Sequence, residues 1–211
     1  MSKVTVLNVS HEKPLSFIGS VAGISHGHND DSKQRALRCW KAGHTSVLEH
    51  VAATFHIEGI SRACSHQLVR HRMASFVQES QRYMRIDTDN PELGNLWFVT
   101  PPNVKIDRPV HRAFVEHMVE CGHLYQDLLK SGVKPEDARY VLPEACKTNI
   151  NMTMNIRELE SFYRLRADRS AQWEIRNLAG EIMNGLSFTG GSEWEEVCRM
   201  IEQRAKDDGI R

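Results

Sequence analysis

Two short runs in which apolar and polar residues alternate set the fold class of this chain. The first covers residues 51–59, and in the second Ile150, Met152 and Met154 alternate with Asn and Thr. Successive side chains of a strand point to opposite faces, so strict alternation predicts strands with one buried face. Branched residues at positions 4–9 predict a further strand of the same sheet.

Most of the remaining chain has apolar residues at three- and four-residue steps, which is typical of amphipathic helices. We expect helices over residues 14–25, 33–42, 60–72, 110–131, 135–143, 156–166, 171–186 and 193–204. Four prolines in residues 87–109 predict a loop there, anchored by Trp97 and Phe98. The sequence therefore predicts an α+β fold, a single domain over residues 1–211 with a small antiparallel sheet packed against several long helices.

Composition narrows the class of protein. The chain has 211 residues, a formal net charge of zero and 26% charged residues. Balanced charge disfavours binding to a nucleic acid polymer through bulk electrostatics. No apolar run is long enough to span a membrane, and the first residues lack the apolar core of a signal peptide, so we expect a cytoplasmic protein. The five cysteines have no paired spacing and are expected to be reduced and mostly buried.

Residues 70–85 concentrate positive charge in this neutral chain. They contain four arginines and a histidine, with Ser75, Gln78, Ser80 and Gln81 between the two basic clusters. Guanidinium groups match phosphate or carboxylate with two parallel hydrogen bonds, whereas neutral polar groups provide directional specificity. The stretch predicts a site for a small phosphorylated molecule. The alternative is a solvated basic helix end followed by a polar loop.

A second candidate lies in the helix after residue 155. Leu159, Phe162 and Arg166 fall at i, i+3 and i+7, so Arg166 is expected to point inward and to need a carboxylate or a bound anion. Asp168 and Glu174 are candidate partners within the chain. Asn155 is a predicted N-cap, with Glu158 three residues later. Arg157 lies in the first turn, where a cation opposes the helix dipole, so an external anion would explain it better.

The basic stretch also resembles a family signature. Arg70, His71 and Arg72 are followed, after seven residues, by Ser80 and then by Arg82 and Tyr83. This spacing resembles the signature of the flavin-dependent thymidylate synthases. The Gly-His-x-Ser-x-x-Glu-His string at residues 43–50 and the string at residues 165–175 resemble two further family blocks. The blocks appear in family order.

The resemblance implies a reaction and its ligands. It implies reductive methylation of dUMP to dTMP, with 5,10-methylenetetrahydrofolate as carbon donor and reduced FAD as hydride donor. NADPH would reduce the flavin, and the protein would be a homotetramer with active sites shared between subunits. No metal is expected, because the two histidines of residues 43–50 are more typical of turn hydrogen bonding than of a ligand set.

The resemblance also implies roles for individual residues. Arg166 would activate the pyrimidine at N3 by stabilising negative charge on the ring, and Ser80 would orient or polarise it. The implied contacts to the substrate are Gln67, Arg70, Gln78, Ser80, Arg82, Arg139 and Arg166. The implied contacts to FAD are His44, Ser46, Arg70, His71, Arg72, Gln78, Asn155, Arg157 and Ser161.

Three positions depart from the pattern. Val77 and Gln78 stand where some members carry Asn and Glu, and Ser161 stands where a larger polar residue is frequent. Two alternatives stay open, and these departures bear on the second of them. One is a non-catalytic nucleotide- or RNA-binding module that uses residues 70–85, and the other is a flavin-binding relative without methyl transfer.

Overall fold

The computed structural model describes residues 2–28, 30–88 and 96–210. The chain divides into two compact units. Unit 1 comprises Gly59–His66 and Gln78–Ile150, and unit 2 comprises Ser2–Glu58, Gln67–Val77 and Asn151–Arg211. That residues 1–211 fold as one domain stays a prediction.

The sheet has the predicted antiparallel character. Its strands are β1 (Lys3–Val9), β2 (Ala52–Ser61), β3 (Ala74–Gln78) and β4 (Lys147–Asn155), in the order β1-β2-β4-β3. Lys3 of β1 lies opposite Glu58 of β2, and the register shifts between Val6 and Asn8. Both alternating runs are strands with one buried face, as predicted. Strand β3 was not predicted, because residues 70–85 were interpreted only as a binding stretch, with a basic helix end and a polar loop as the alternative.

The long helices agree with the sequence periodicity. The helices are α1 (Pro14–Ile24), α2 (Lys33–Lys41), α3 (Arg62–Leu68), α4 (Pro102–Ile106), α5 (Arg108–Lys130), α6 (Pro135–Ala138), α7 (Ile156–Arg166), α8 (Trp173–Thr189) and α9 (Ser192–Asp207). Short 3-10 helices cover Thr45–His50 and Arg139–Val141. Ser32 caps α2 and Asn155 caps α7 through side-chain hydrogen bonds, which confirms both predicted helix starts.

One helix prediction is wrong. The helix expected over residues 60–72 covers only Arg62–Leu68, because Ile60 and Ser61 extend β2. After Leu68 the chain turns, and the His71 amide donates to the Leu68 carbonyl oxygen. Arg70, His71 and Arg72 therefore lie beyond the helix, and His71 is directed by the turn.

The core of unit 1 confirms the predicted anchors. Trp97 and Phe98 are buried and pack with Met118 and Cys146, and the two aromatic rings meet edge to face. The predicted loop over residues 87–109 is partly helical, because α4 and the start of α5 lie within it. Its residues 89–95 lie outside the described residues.

The core of unit 2 is formed by apolar faces of its helices around buried aromatic side chains. The fully buried side chains include Leu15, Ile18, Trp40, Phe162, Leu178, Ile182 and Trp194. Glu160 is also buried, and its carboxylate accepts hydrogen bonds from Trp40 Nε1 at 2.9 Å and from Arg204 Nε at 2.5 Å. A buried carboxylate is tolerated here because both of its partners are donors.

The five cysteines are free thiols, and Cys64, Cys146 and Cys198 are buried, as expected. Within residues 2–28, 30–88 and 96–210, no helix is long and apolar enough to cross a membrane. The same residues contain no group of three or more His, Cys, Asp or Glu side chains that could hold a metal ion.

Candidate functional site

The Arg166 guanidinium, at the end of α7 in unit 2, is held by hydrogen bonds. Its Nε donates to His71 Nε2 at 3.0 Å, and one terminal nitrogen donates to the Gln67 carbonyl oxygen at 3.2 Å. The side chain is half-buried, as its place on the Leu159 and Phe162 face predicts. Asp168, one of the two partners considered for Arg166, accepts hydrogen bonds from Ser170.

His71 is the buried residue of the basic stretch. It is 6% exposed, its Nδ1 lies 3.0 Å from Glu158 Oε1, and its ring meets Phe162 edge to face at 5.0 Å. Burial lowers the pKa of His71, and the positive charge of Arg166 lowers it further, whereas Glu158 raises it. Since burial is the largest of these causes, the neutral imidazole is favoured.

The residues around His71 differ in exposure. Arg70 and Arg72 are exposed, and Gln67 is half-buried at the end of α3. Exposed guanidinium groups beside a buried imidazole present positive charge to a ligand at little desolvation cost. The turn after Leu68 thus buries the His71 imidazole and leaves the Arg70 and Arg72 side chains exposed.

A second feature of unit 2 is a cavity of about 520 Å³. Its lining includes Thr45, Arg157, Ser161, Arg164, Leu165 and Arg204. Two of the residues assigned to FAD, Arg157 and Ser161, therefore share one cavity. His44 and Ser46 flank Thr45 and are both exposed. The lining also includes the Glu160 carboxylate, which pairs with Arg204, whereas Arg157 and Arg164 pair with Glu49 and Asp208. Each guanidinium has five N–H donors, so the three arginines can still donate to an anion such as a diphosphate.

Two residues assigned to FAD also have structural partners. Asn155 Oδ1 accepts the Glu158 amide at 2.8 Å, which completes the N-cap of α7. Arg157 forms an ion pair with Glu49. An external anion was expected to explain the cation at this helix start, whereas the structure gives it a carboxylate of the chain.

Two predicted residues of unit 1 lie at the end of β3 and just after it. Gln78 Nε2 donates to Ser65 Oγ at 2.9 Å and to Thr148 Oγ1 at 3.2 Å, so its amide is oriented by the neighbouring elements. Ser80 starts a tight turn, in which its carbonyl oxygen accepts the Met84 amide and its Oγ accepts the Arg82 amide. This geometry fixes the backbone of Ser80.

Two arginines of unit 1 converge on Glu136 of α6. Arg82 pairs with the Glu136 carboxylate at 3.2 Å, and Arg139 Nε donates to the Glu136 carbonyl oxygen at 3.0 Å. Arg139 also lines a cavity of about 330 Å³, together with Arg62, His66, Gln81, Tyr140, Leu142, Pro143 and Glu144. The lining of this cavity thus contains two arginines, Arg62 and Arg139, and one carboxylate, Glu144.

Sequence reasoning missed Arg62 in this cavity. Its terminal nitrogen donates to the Glu79 carbonyl oxygen at 3.0 Å, and its Nε is buried without a hydrogen-bond partner among the described residues. Burial lowers the pKa of Arg62. The signal in the sequence was a charged residue next to the apolar end of a strand, which is also common on protein surfaces.

Within unit 2 the structure brings together Gln67, His71 and Arg166, and separately Arg157 and Ser161. Within unit 1 it brings together Arg82 and Arg139. The roles assigned to these residues remain predictions, since the contacts described above are all made within the chain.

Sequence relatives agree with the signatures. The chain is 40% identical over 222 aligned residues to the flavin-dependent thymidylate synthase of Pyrococcus furiosus, covering 100% of this chain and 82% of the relative. It is 48% identical over 196 residues to that of Thermococcus onnurineus, covering 88% and 78%. The family model described as thymidylate synthase complementing protein matches residues 6–187. The chain belongs to the flavin-dependent thymidylate synthase family. This membership identifies it as an enzyme and does not favour the binding-module alternative.

Two solved structures share the fold of this chain. The Helicobacter pylori enzyme ThyX, crystallised with FAD and dUMP, superposes with a TM-score of 0.73 at 23% identity, covering 94% of this chain and 99% of that one. The UMP/dUMP methylase PolB of Streptomyces cacaoi, bound to 5-Br dUMP, gives a TM-score of 0.75 at 22% identity, covering 89% and 90%. The mixed helix and sheet architecture predicted from the sequence is therefore confirmed.

Proposed function

We propose that this chain catalyses reductive methylation of dUMP to dTMP, with 5,10-methylenetetrahydrofolate as carbon donor and NADPH as the source of reducing equivalents for FAD. The observation that carries the proposal is Arg166, the arginine of the family's C-terminal signature. Its guanidinium is half-buried and oriented by His71 and by the Gln67 carbonyl oxygen.

The cavity of unit 2 fits part of the cofactor. Its volume of about 520 Å³ lies within the range of about 300–1,000 Å³ that is common for ligand cavities, and its arginines suit the diphosphate portion of FAD. Arg157 and Ser161 would contact it from the wall, and His44, Ser46, His71, Arg72 and Asn155 would complete the set. When bound, FAD supplies the hydride; the chain itself binds, orients and stabilises charge.

The pyrimidine site would be formed around Arg166. A guanidinium beside N3 and O2 of the ring stabilises negative charge that develops there, and it does so most strongly where water is excluded. Ser80 would donate a hydrogen bond to the ring from its fixed turn. Gln67, Arg70, Gln78, Arg82 and Arg139 would hold the nucleotide, with charge-assisted hydrogen bonds from the arginines to its phosphate.

The assembly and location belong to the same proposal. We infer a cytoplasmic homotetramer in which residues of separate subunits share each active site. This assembly is the one that the family resemblance implies. Size-exclusion chromatography with light scattering measures the mass directly.

The test is thymidylate formation by the Arg166→Ala variant. We expect dTMP formation to fall by about 100-fold or more, the order lost when one charge-stabilising donor is removed, while most FAD binding is retained. The matched control is Arg199→Ala, because Arg199 is an exposed arginine of α9. Unchanged turnover in Arg166→Ala would refute its role. RNA or nucleotide retention without FAD binding would favour the binding module instead.

A further inference from the structure

His71 lies between a carboxylate and the arginine proposed to activate the pyrimidine. An arginine nitrogen can only donate a hydrogen bond, so the contact of 3.0 Å from Arg166 Nε requires His71 Nε2 to be the acceptor. The proton of the neutral ring must then be on Nδ1, which lies 3.0 Å from Glu158 Oε1. The three side chains form one directed chain of hydrogen bonds, from Arg166 to His71 to Glu158.

The surroundings make this chain of hydrogen bonds effective. Glu158, Phe162 and Arg166 are spaced at i, i+4 and i+8, so they share one face of α7. The His71 ring packs edge to face against Phe162, and only 6% of His71 and 14% of the Glu158 side chain are exposed. Hydrogen bonds in such a low-dielectric setting are stronger than in water. A proton on His71 Nε2 would place two donors opposite each other, which is correspondingly costly there.

We propose that Glu158, acting through His71, is a positioning residue that sets the tautomer of His71 and thereby the orientation of Arg166. The role of Arg166 in this inference rests on the proposed function. The carboxylate favours the tautomer with the proton on Nδ1, which leaves Nε2 to accept from Arg166. Without Glu158 the ring can carry its proton on Nε2, where it would oppose the Arg166 donor.

The same geometry predicts a dependence on pH. A doubly protonated His71 has a proton on Nε2 and a positive charge, so it repels Arg166. The charged groups that act on His71 are Glu158 and Arg166, both from α7, and burial is the larger influence that lowers its pKa. The acid limb of turnover is therefore expected below the ordinary histidine range. Glu158 raises the pKa of His71, so removing the Glu158 charge should move the acid limb of the pH profile to still lower pH.

The experiment compares Glu158→Ala and Glu158→Gln in the FAD-loaded enzyme, with kcat and KM for dUMP measured from about pH 5 to about pH 9. For Glu158→Ala we expect kcat to fall by about 10-fold or more, as is common when a residue that orients a functional group is lost, with a smaller change in KM. Glu158→Gln keeps an acceptor for Nδ1, so its kcat falls less and its acid limb lies at lower pH than in the wild type.

The matched control is Glu120→Gln. Glu120 is also a carboxylate beside an imidazole, 3.8 Å from His117, but both side chains are exposed, so no change is expected. A Glu158→Ala variant with kcat within about 2-fold of the wild type would overturn the inference. So would an acid limb of Glu158→Gln at the wild-type position.

Imidazole nitrogen NMR separates failure of the inference from failure of the proposed function. We expect the wild-type His71 to carry its proton on Nδ1, and Glu158→Ala to lose this preference. A proton on Nε2 in the wild type would overturn the inference whatever the activity. The predicted tautomer in a protein that forms no thymidylate would support the positioning pair and refute the proposed reaction.

Discussion

Replacing Glu160 with alanine should cost unit 2 a large part of its stability. The Glu160 carboxylate is 5% exposed and accepts from Trp40 Nε1 and Arg204 Nε. Trp40 is fully buried, so its indole N–H would be left without this acceptor. Arg204 is about a third exposed, at 34%, and it keeps a second hydrogen bond to the Trp40 carbonyl oxygen.

The expected cost follows from these two partners. An unsatisfied buried donor such as the Trp40 N–H costs about 1–3 kcal/mol. Loss of the partner of Arg204 adds only about 0.5–1 kcal/mol, because water can reach that guanidinium. Glu160→Ala should therefore lower the free energy of unfolding by roughly 2–4 kcal/mol. Glu160→Gln keeps an acceptor for Trp40 and should lose about 1 kcal/mol.

The assay is equilibrium urea unfolding at one protein concentration, followed by tryptophan fluorescence and circular dichroism. We expect the midpoint to fall in the order wild type, Glu160→Gln, Glu160→Ala, without a change in slope. Asp208→Ala is the control, because its ion pair with Arg164 is nearly half exposed, and should cost less than about 1 kcal/mol. A Glu160→Ala variant within about 0.5 kcal/mol of the wild type would show that the Glu160 carboxylate does not stabilise unit 2 through Trp40 and Arg204.

Three further predictions concern backbone conformation, thiols and pH. Gly132→Ala should lower the free energy of unfolding by about 1 kcal/mol, because Gly132 has a φ of +86°, which is unfavourable for alanine. Gly180→Ala in α8 should raise the free energy of unfolding by about 0.5–1 kcal/mol, because an added Cβ there meets no other atom. Urea unfolding measures both changes. Burial raises the pKa of Cys146 to about 11 and that of Cys198 to about 12, so neither should be alkylated at neutral pH until the protein unfolds, as peptide mass mapping would reveal. The pKa of His71 in the folded protein is below its ordinary value of 6.5, so the unfolded chain binds the proton at a higher pH than the folded protein does. The free energy of unfolding should therefore fall as pH drops below about 6.5 and level off below the folded-state pKa. His71→Gln should remove this dependence on pH.

Much of the fold could be predicted because the apolar periodicity of each long element matches the face that the element buries. The alternation in β4 and the N-cap at Asn155 were both confirmed, since one face of β4 is buried and the Asn155 side chain accepts the Glu158 amide. Strand β3 was missed because its residues alternate only weakly in polarity and none of the five is fully buried. Its pairing with β4 is a tertiary contact that no local pattern contains.

The candidate site was predicted less completely than the fold. The helical spacing indicated that Arg166 points inward, and its half-buried position agrees. Its partner His71 could not be predicted, because 95 residues separate the two in sequence and the expected helix over residues 60–72 gave His71 the wrong direction. Glu49, the partner of Arg157, is likewise distant in sequence. Such pairs depend on how the elements pack, which periodicity does not encode.

The visible spectrum of the purified protein, recorded with FAD and then with dUMP, reports directly on both ligands of the proposed active site. We expect a bound-flavin spectrum that dUMP perturbs in the wild type, because both ligands would occupy one active site. In Arg166→Ala the flavin spectrum should persist, and its response to dUMP should be weaker. A protein that binds no flavin, or a flavin spectrum that dUMP leaves unchanged in the wild type, would contradict the proposed function.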